Sequence, residues 1–244
     1  MISMVPIRMD GWDKAEVGVT QVDTVAHCGD TVVGDYAITT NGADVATLWD
    51  TRRAQWCKGQ EATRTSLEAM RRDSPVLWTE VHPDSGSEFI NLQYIRYAEE
   101  TGLRMTRSRP YHKNDNCFVE ERNGHVVRAY VGYARLNVRK TVDALNDLYD
   151  VLTPYLNHFI ANRRIVSKKR IGARWKVMRE KIAKTPYRRM LEREDVPAEV
   201  KEKLRKAHTL FNPAKMKKEI DRLSKRVHAI QSKYGKPKKS PRNY

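Results

Sequence analysis

The first part of the chain alternates β-branched apolar residues with polar ones in three short segments. The segments span residues 17–28, 29–40 and 43–54, and Gly-Asp or similar turn residues separate them. Enrichment in Val, Ile and Thr with tight turns between the segments is typical of strands joined as hairpins. The pattern therefore predicts three antiparallel strands in a meander.

After the meander, helical and strand patterns alternate. A helix is predicted over residues 59–75, where Pro75 stops it, and another from an N-cap at Ser87 to Gly102. Short apolar runs at 76–81 and 103–108 predict a fourth and a fifth strand. Helices are predicted at 114–133 and at 141–160, the second bent near its proline. The order β-β-β-α-β-α-β-α-α favours an α/β fold with a mixed five-stranded sheet and flanking helices.

Beyond residue 163 we find no strand pattern and predict an all-helical region. Helices are expected at 197–210 and at 212–230, the second with Asn212 as its N-cap. Its apolar positions form one stripe that we expect to be buried on another helix of this region or on a second subunit. The stripe contains Met216, Ile220, Leu223, Val227 and Ile230. The last residues, 234–244, are basic and predicted to be disordered.

Charge divides the chain at the same place. The formal net charge is +16, yet residues 163–244 hold 28 Lys and Arg against 8 Asp and Glu, a net charge of +20. Residues 1–162 carry a net charge of −4. A strongly basic region favours a polyanionic partner, most often nucleic acid; a solvated helical surface and attachment to a membrane surface are the alternatives. We accordingly predict a basic DNA-binding appendage at 161–244, without which the preceding part of the chain should stay folded.

The cysteines and the hydropathy of the chain indicate in which cellular compartment the protein is expected. The three cysteines are far apart and form no C-x-x-C pair, which argues against a zinc ribbon and a disulfide framework. No run of about 18 apolar residues is present, and the N-terminus lacks the apolar segment of a signal peptide. We expect a reducing, cytoplasmic location.

Three carboxylates are the candidate chemistry. Asp84 ends an apolar strand segment in "VHPDSGSEFI", which taken alone is also typical of an ordinary turn. Asp23 lies within the first predicted strand, where aspartate is uncommon and costly to bury without a partner or a metal. Glu120 follows Asp84 with 35 residues between them. Three such carboxylates suit a site for one or two Mg²⁺ ions, which prefer oxygen ligands.

At this point the sequence resembles the integrase catalytic core family, which comprises the DDE transposases of bacterial insertion sequences and the retroviral integrases. The resemblance depends on three segments that carry the D-D-(35)-E spacing of Asp23, Asp84 and Glu120, and it covers roughly residues 14–160. The segments are "VD" in the first strand, "HPDSGSEF" after the fourth, and "RPYHKNDNCFVEERNGHVVR" on a later helix.

The resemblance implies an RNase H-like fold and a bacterial, nucleoid-associated enzyme that nicks DNA and transfers strands. It implies that Asp23, Asp84 and Glu120 ligate two Mg²⁺ or Mn²⁺ ions and that Gly86 lets the backbone turn close to the site. It also implies a homo-oligomer assembled on transposon ends and target DNA. Residues expected to touch DNA near the scissile phosphate are Lys113, Asn116, Asn123 and Arg128, for which ordinary helix-surface polarity is an equal alternative.

Other polar residues near these positions are expected to be structural or solvent-exposed. We expect Glu121 to be solvated, Asp115 to cap the helix, and His27 and His82 to be structural rather than metal ligands. Only 22 residues precede Asp23, so we expect no room there for the helix-turn-helix domain of full-length relatives. The alternative function is therefore a non-catalytic DNA-binding protein derived from a degenerate transposase; a nuclease acting on RNA–DNA hybrids is a weaker option.

Overall fold

A computed structural model describes residues 2–8, 11–12, 15–84, 86–109, 115–172 and 174–235. Five strands form the central sheet in the order β3-β2-β1-β4-β5. Strands β1, β2 and β3 pair antiparallel, and β4 and β5 run parallel to β1. This confirms the predicted mixed five-stranded sheet and its RNase H-like arrangement. The strands are β1 (Val19–Ala26), β2 (Ala37–Asp44), β3 (Asp50–Trp56), β4 (Glu80–Pro83) and β5 (Arg104–Met105).

Helices cover both faces of the sheet. They are α1 (Gln60–Asp73), α2 (Leu92–Glu100), α3 (Cys117–Arg122), a π-helix (Asn123–Arg128), α4 (Ala129–Val131), α5 (Lys140–Phe159), α6 (Pro186–Glu192), α7 (Ala198–Leu210) and α8 (Pro213–Tyr234). A short 3₁₀ helix, Ile2–Met4, precedes β1. None of the helices among the described residues has the length and apolar character needed to span a membrane.

Two apolar clusters hold the layers together. Val22 of β1 and Val81 of β4 pack with α1 and α2 on one face. Ala37 of β2 and Ala54 of β3 pack with α5 on the other. Successive strand residues point to opposite faces, so the neighbours of Val22 in β1 point towards the α5 side.

Helix α8 belongs to the second of these clusters. Ile220, Leu223 and Val227 are buried together with the leucines of α5. The predicted apolar stripe is therefore real, but our expectation that it packs within the C-terminal region or on a second subunit is wrong. It covers the outer side of α5, because α5 offers the large apolar surface that the short helices α6 and α7 lack.

The prediction of an all-helical C-terminal region is also wrong. Strands β6 (Ile165–Ile171) and β7 (Arg174–Arg179) form a separate antiparallel hairpin that turns at Gly172, where φ is +58°. Basic residues interrupt the apolar alternation that would have marked these strands. The short helix α6 was not predicted either. Helices α7 and α8 were, and Asn212 caps α8 by accepting a hydrogen bond from the Lys215 amide at 3.0 Å.

Several boundaries differ from the predictions within the sheet domain. The second strand begins at Ala37 rather than at residue 29, and the fifth contains only Arg104–Met105. The third strand begins at Asp50 rather than at residue 43, because β2 continues through Asp44. The fourth strand begins only at Glu80. Asn91 rather than Ser87 is the N-cap of α2, and its Oδ1 accepts the Tyr94 amide at 2.9 Å.

Candidate active site

Asp23 lies in the middle of β1, as predicted, and its side chain is partly buried on the α5 face. The strand register sets Asp23 beside Asn41 of β2, and Asn41 beside Arg52 of β3. Three polar residues thus form one row across three adjacent strands. Asn41 and Arg52 are both buried, so their polar groups must find partners within the protein.

Hydrogen bonds connect this row to the π-helix. Asp23 Oδ2 accepts from Asn123 Nδ2 at 2.7 Å, and Asp23 Oδ1 accepts from the Thr24 amide at 2.7 Å. Asn41 Nδ2 donates to Asn123 Oδ1 at 3.2 Å, and Arg52 Nε donates to Asn41 Oδ1 at 3.3 Å. The chain Arg52–Asn41–Asn123 therefore ends on the carboxylate of Asp23 and fixes its orientation.

Asp84 stands next to Asp23 because β4 is parallel to β1. The last paired residues are Val22 and Pro83, and the residues that follow them are Asp23 and Asp84. The Gly86 amide donates to Asp84 Oδ1 at 2.9 Å. A Cβ at Gly86 would lie 2.9 Å from Asp84 Oδ1, so a larger residue there would displace this carboxylate. This agrees with the role expected for Gly86.

Glu120 lies on α3, and its negative charge acts on Asp23. Burial, together with the negative charges of Asp84 and Glu120, raises the pKa of Asp23 from 3.8 to about 7, although the hydrogen bond from the Thr24 amide acts in the opposite direction. Burial also raises the pKa of Asp84. Asp84, which follows β4, and Glu120 of α3 thus both act electrostatically on Asp23 in β1.

Lys58 and Glu88 border this group and were not predicted. Lys58 Nζ pairs with Glu88 Oε1 at 2.9 Å, and its positive charge opposes the pKa increase of both Asp23 and Asp84. Glu88 acts in the opposite direction on Asp84. Asn41 was missed as well, although an asparagine inside the strand segment "AITTNGAD" is itself unusual.

The side chains of Asp23, Asp84 and Glu120 do not form a preformed metal-binding site. Among the residues that the structure describes, no three His, Cys, Asp or Glu side chains are close enough together to hold a metal ion. Asp84 and Glu120 are nevertheless exposed, so their side chains can change rotamer with little loss of buried contact. Each Asp23 oxygen also keeps a lone pair beyond the hydrogen bond it accepts. The donor set is all oxygen, which is the chemistry that Mg²⁺ and Mn²⁺ require.

The four residues expected to touch DNA have different positions. Asn123 lies at the site, against Asp23. Asn116 is only 5% exposed and donates to the Val22 carbonyl at 3.2 Å, which joins α3 to β1; its expected DNA contact stays a prediction. Arg128 donates to the Ala26 carbonyl at 2.8 Å and lies over the Tyr133 ring, which gives it a structural role. Lys113 lies outside the described residues.

The two histidines and Glu121 agree with the structural roles expected for them, whereas the expectation that Asp115 caps the helix is wrong. His27 and His82 are buried and hydrogen bonded to Thr39 and Thr106, and burial lowers their pKa values to about 3 and about 4. Glu121 is exposed. Asp115 pairs with Arg109 at 2.8 Å, whereas the N-cap position of α3 belongs to Asn116.

Comparisons with known proteins add three similarities. No family model matches the chain. The uncharacterized protein y4rM of Sinorhizobium fredii (strain NBRC 101917 / NGR234) is 36% identical over 171 residues, which is 70% of this chain and 49% of that protein. The chain therefore spans about half the length of the curated relative it matches.

Two solved structures are similar at low identity. The simian T-cell lymphotropic virus intasome in complex with PP2A regulatory subunit B56 gamma is 14% identical, with a TM-score of 0.46, over 61% of this chain and 50% of that chain. The catalytic core domain of BIV integrase is 13% identical, with a TM-score of 0.45, over 70% of this chain and 91% of that chain.

Proposed function

We propose that the protein is a DDE-type transposase or integrase, a metal-dependent polynucleotidyl transferase that acts on DNA. The observation that supports this proposal is the electrostatic effect that two acids from separate elements, Asp84 and Glu120, exert on the partly buried Asp23 of β1. Asp23 is the central acid, since burial and the charges of Asp84 and Glu120 raise its pKa to about 7. Perturbed carboxylates grouped in this way are typical of functional sites.

The residues present fit a divalent cation. Asp23, Asp84 and Glu120 would hold two Mg²⁺ or Mn²⁺ ions, which supply an activated attacking oxygen and stabilise the leaving oxygen at phosphorus. Asn123 fixes the orientation of the Asp23 carboxylate by donating a hydrogen bond to its Oδ2. Lys58 balances part of the negative charge and holds Glu88 beside the site.

The reaction proposed is transesterification at a DNA phosphate. A water oxygen forms a new bond to phosphorus at the end of a mobile element, and the bond to the 3′-oxygen breaks, which frees a 3′-OH. That hydroxyl then attacks a phosphate of the target duplex in the same way. No covalent bond between protein and DNA forms at any stage, and a homo-oligomer on DNA would hold both ends of an insertion sequence.

The test measures nicking and strand transfer on short labelled duplexes with Mn²⁺. Asp23→Asn, Asp84→Asn and Glu120→Gln should each reduce activity by at least 10²-fold, on the order of what loss of a principal electrostatic group costs. Glu121→Gln is the matched control, because this neighbouring acid of α3 is exposed and lies outside the triad. Equal activity of the Glu120 and Glu121 variants would overturn the assignment of Glu120.

A non-catalytic DNA-binding protein is the second candidate function. It is favoured by the lack of a preformed group of metal ligands among the described residues and by the hydrogen bond that Asn123 gives to Asp23. Calorimetric titration with Mn²⁺ separates the two candidates. Binding by the folded protein that Asp23→Asn abolishes supports the enzyme, whereas DNA binding without any divalent-metal binding supports the second candidate.

A further inference from the structure

The hairpin of β6 and β7, residues 165–179, is the most basic exposed element that the structure describes, and we name it the basic ribbon. These residues contain six Lys and Arg and no Asp or Glu. The ribbon is a two-stranded sheet of its own and is not joined to the five-stranded sheet. Its described side chains are mostly exposed on both faces, so the fold itself does not use this surface.

The strand register concentrates positive charge on one face of the ribbon. Lys169 lies directly opposite Lys176, and the next pair on the same face is Ile171 and Arg174. Like charges directly opposite each other in a sheet are destabilising. Within the described part of the chain, none of Lys169, Arg174 and Lys176 forms an ion pair with a carboxylate. A polyanion bound to this face would remove the repulsion.

Apolar side chains on the ribbon also lack cover. Val166 is 66% exposed and Ile171 is 61% exposed. An isolated two-stranded hairpin is marginally stable in water, so its sequence would be expected to add charge pairs across the strands rather than like charges. The pattern instead suits an element that is completed by a negatively charged partner.

The base of the ribbon contacts the helix that carries Glu120. Arg179 Nη1 lies 3.9 Å from Glu121 Oε1. The Arg164 guanidinium carbon lies 5.4 Å from the centre of the Phe118 ring, and Arg164 Nη1 donates to the Ala46 carbonyl at 3.2 Å. Phe118 and Glu121 flank Glu120 on α3. The ribbon therefore leaves the protein next to α3, the helix that carries Glu120.

We infer that the basic ribbon binds duplex DNA through Lys169, Arg174 and Lys176, which contact backbone phosphates, and that it holds the duplex alongside the three carboxylates. A two-stranded ribbon has the width that the major groove admits. Contacts to phosphate give affinity and position without sequence preference. The inference rests on the proposed function only in taking DNA, rather than another polyanion, as the partner.

The test compares two triple variants of the full chain that each remove three positive charges. The ribbon variant is Lys169→Ala, Arg174→Ala and Lys176→Ala. The control variant is Lys203→Ala, Lys218→Ala and Lys225→Ala, on exposed positions of α7 and α8. All six side chains are exposed, so both proteins should fold, which circular dichroism checks. Anisotropy of a labelled duplex is measured in EDTA over a series of salt concentrations.

For the ribbon variant we expect the slope of log K against log salt to fall by about 2.7, since each phosphate contact contributes about 0.9. Binding should weaken on the order of 10²-fold at 0.1 M salt. The control variant should keep most of the affinity and slope. The inference would be overturned if the ribbon variant kept the wild-type DNA affinity and salt slope, or if both variants lost affinity equally. It would also be overturned if the ribbon variant lost binding to anionic lipid vesicles or RNA hairpins while its binding to duplex DNA was unchanged.

Binding in EDTA requires no catalysis, so the two proposals can fail separately. If the ribbon variant loses DNA binding while the wild-type protein shows no nicking under any metal, the ribbon stands and the enzyme assignment fails. If nicking occurs with normal DNA affinity in the ribbon variant, the enzyme assignment stands and the ribbon fails.

Discussion

Asn123 Nδ2 donates a 2.7 Å hydrogen bond to Asp23 Oδ2, across 100 residues of sequence. The same asparagine accepts from Asn41, which in turn accepts from the buried Arg52. A candidate catalytic carboxylate is thus oriented by residues from β2, β3 and the π-helix. A hydrogen-bond donor stabilises the ionised form of a carboxylate, so Asn123 opposes the increase that burial causes in the pKa of Asp23.

Replacing Asn123 by alanine should therefore affect Asp23 directly. We expect Asn123→Ala to raise the pKa of Asp23 further and to destabilise the fold by about 1–3 kcal/mol, because Asn41 loses a partner. NMR titration of the Asp23 carboxyl and urea unfolding measure the two effects. Asn157→Ala is the control: it removes two hydrogen bonds to the Asp50 backbone and should destabilise the protein without moving the Asp23 titration.

The raised pKa of Asp23 gives folding a pH dependence of known sign. The folded protein keeps a proton to about pH 7 that the unfolded chain releases near pH 4. This contribution to stability is full below pH 4 and is lost as the pH rises through 7, at up to about 1.4 kcal/mol per pH unit.

Comparison with Asp23→Asn isolates this contribution. In EDTA the variant should gain stability relative to the wild type as the pH rises from 4 to 7. His27 and His82, whose lowered pKa values act with the opposite sign, are present in both proteins and cancel in the difference. A difference in unfolding free energy that is independent of pH would contradict the position assigned to the Asp23 carboxylate.

Gly86→Ala should reduce activity more than stability. The added Cβ would lie 2.7 Å from Glu88 Oε2 and 2.9 Å from Asp84 Oδ1. Both atoms are the ends of side chains that can move, so the fold survives while the Asp84 carboxylate is displaced. We expect weaker Mn²⁺ binding and at least tenfold slower nicking, with a change in unfolding free energy of about 1 kcal/mol or less. Gly102→Ala is no substitute as a control because its φ of +63° introduces strain of its own.

Leu223→Ala tests whether α8 is part of the folded core. Leu223 is 4% exposed in the cluster that α8 shares with α5. Truncating a buried leucine typically costs about 2–5 kcal/mol, so we expect a loss in this range by urea unfolding. Leu210→Ala, at a position that is 83% exposed on α7, should change stability by less than about 0.5 kcal/mol.

The packing of α8 changes one expectation from the sequence. We expected the sheet domain to stay folded without residues 163–244, because the charge step near residue 162 suggested a boundary. Charge patterns describe surfaces, however, and the apolar stripe of α8 does not reveal which surface it covers. With Leu223 and its neighbours removed, the apolar side of α5 would face water, so we now expect that deletion to unfold the domain.

The sheet, Asp23 and Asp84 could be predicted because their signals are local, whereas Glu120 was identified by its spacing from Asp84. Aspartate in a β-branched strand segment is conspicuous at Asp23, and a turn after an apolar run marks Asp84. The partners Asn41 and Arg52 could not be predicted, since their roles depend on the register between strands. The basic ribbon was missed because lysine and arginine occupy positions where strand signals need apolar residues.

Because of the π-helix between α3 and α4, the positions of Glu120 and Asn123 depend on the number of residues in this segment. It spans Asn123–Arg128 and follows Glu120 by only two residues. A π-helix holds an extra residue per turn, whereas each α-helical residue turns the chain by about 100°. Deleting Gly124, whose position has open space around it, would rotate Glu120 and Asn123 relative to the buried Val126 and Val127. An alignment gap of one residue here would thus mark a relative in which Asp23 has lost its partner, even if all three acids are present.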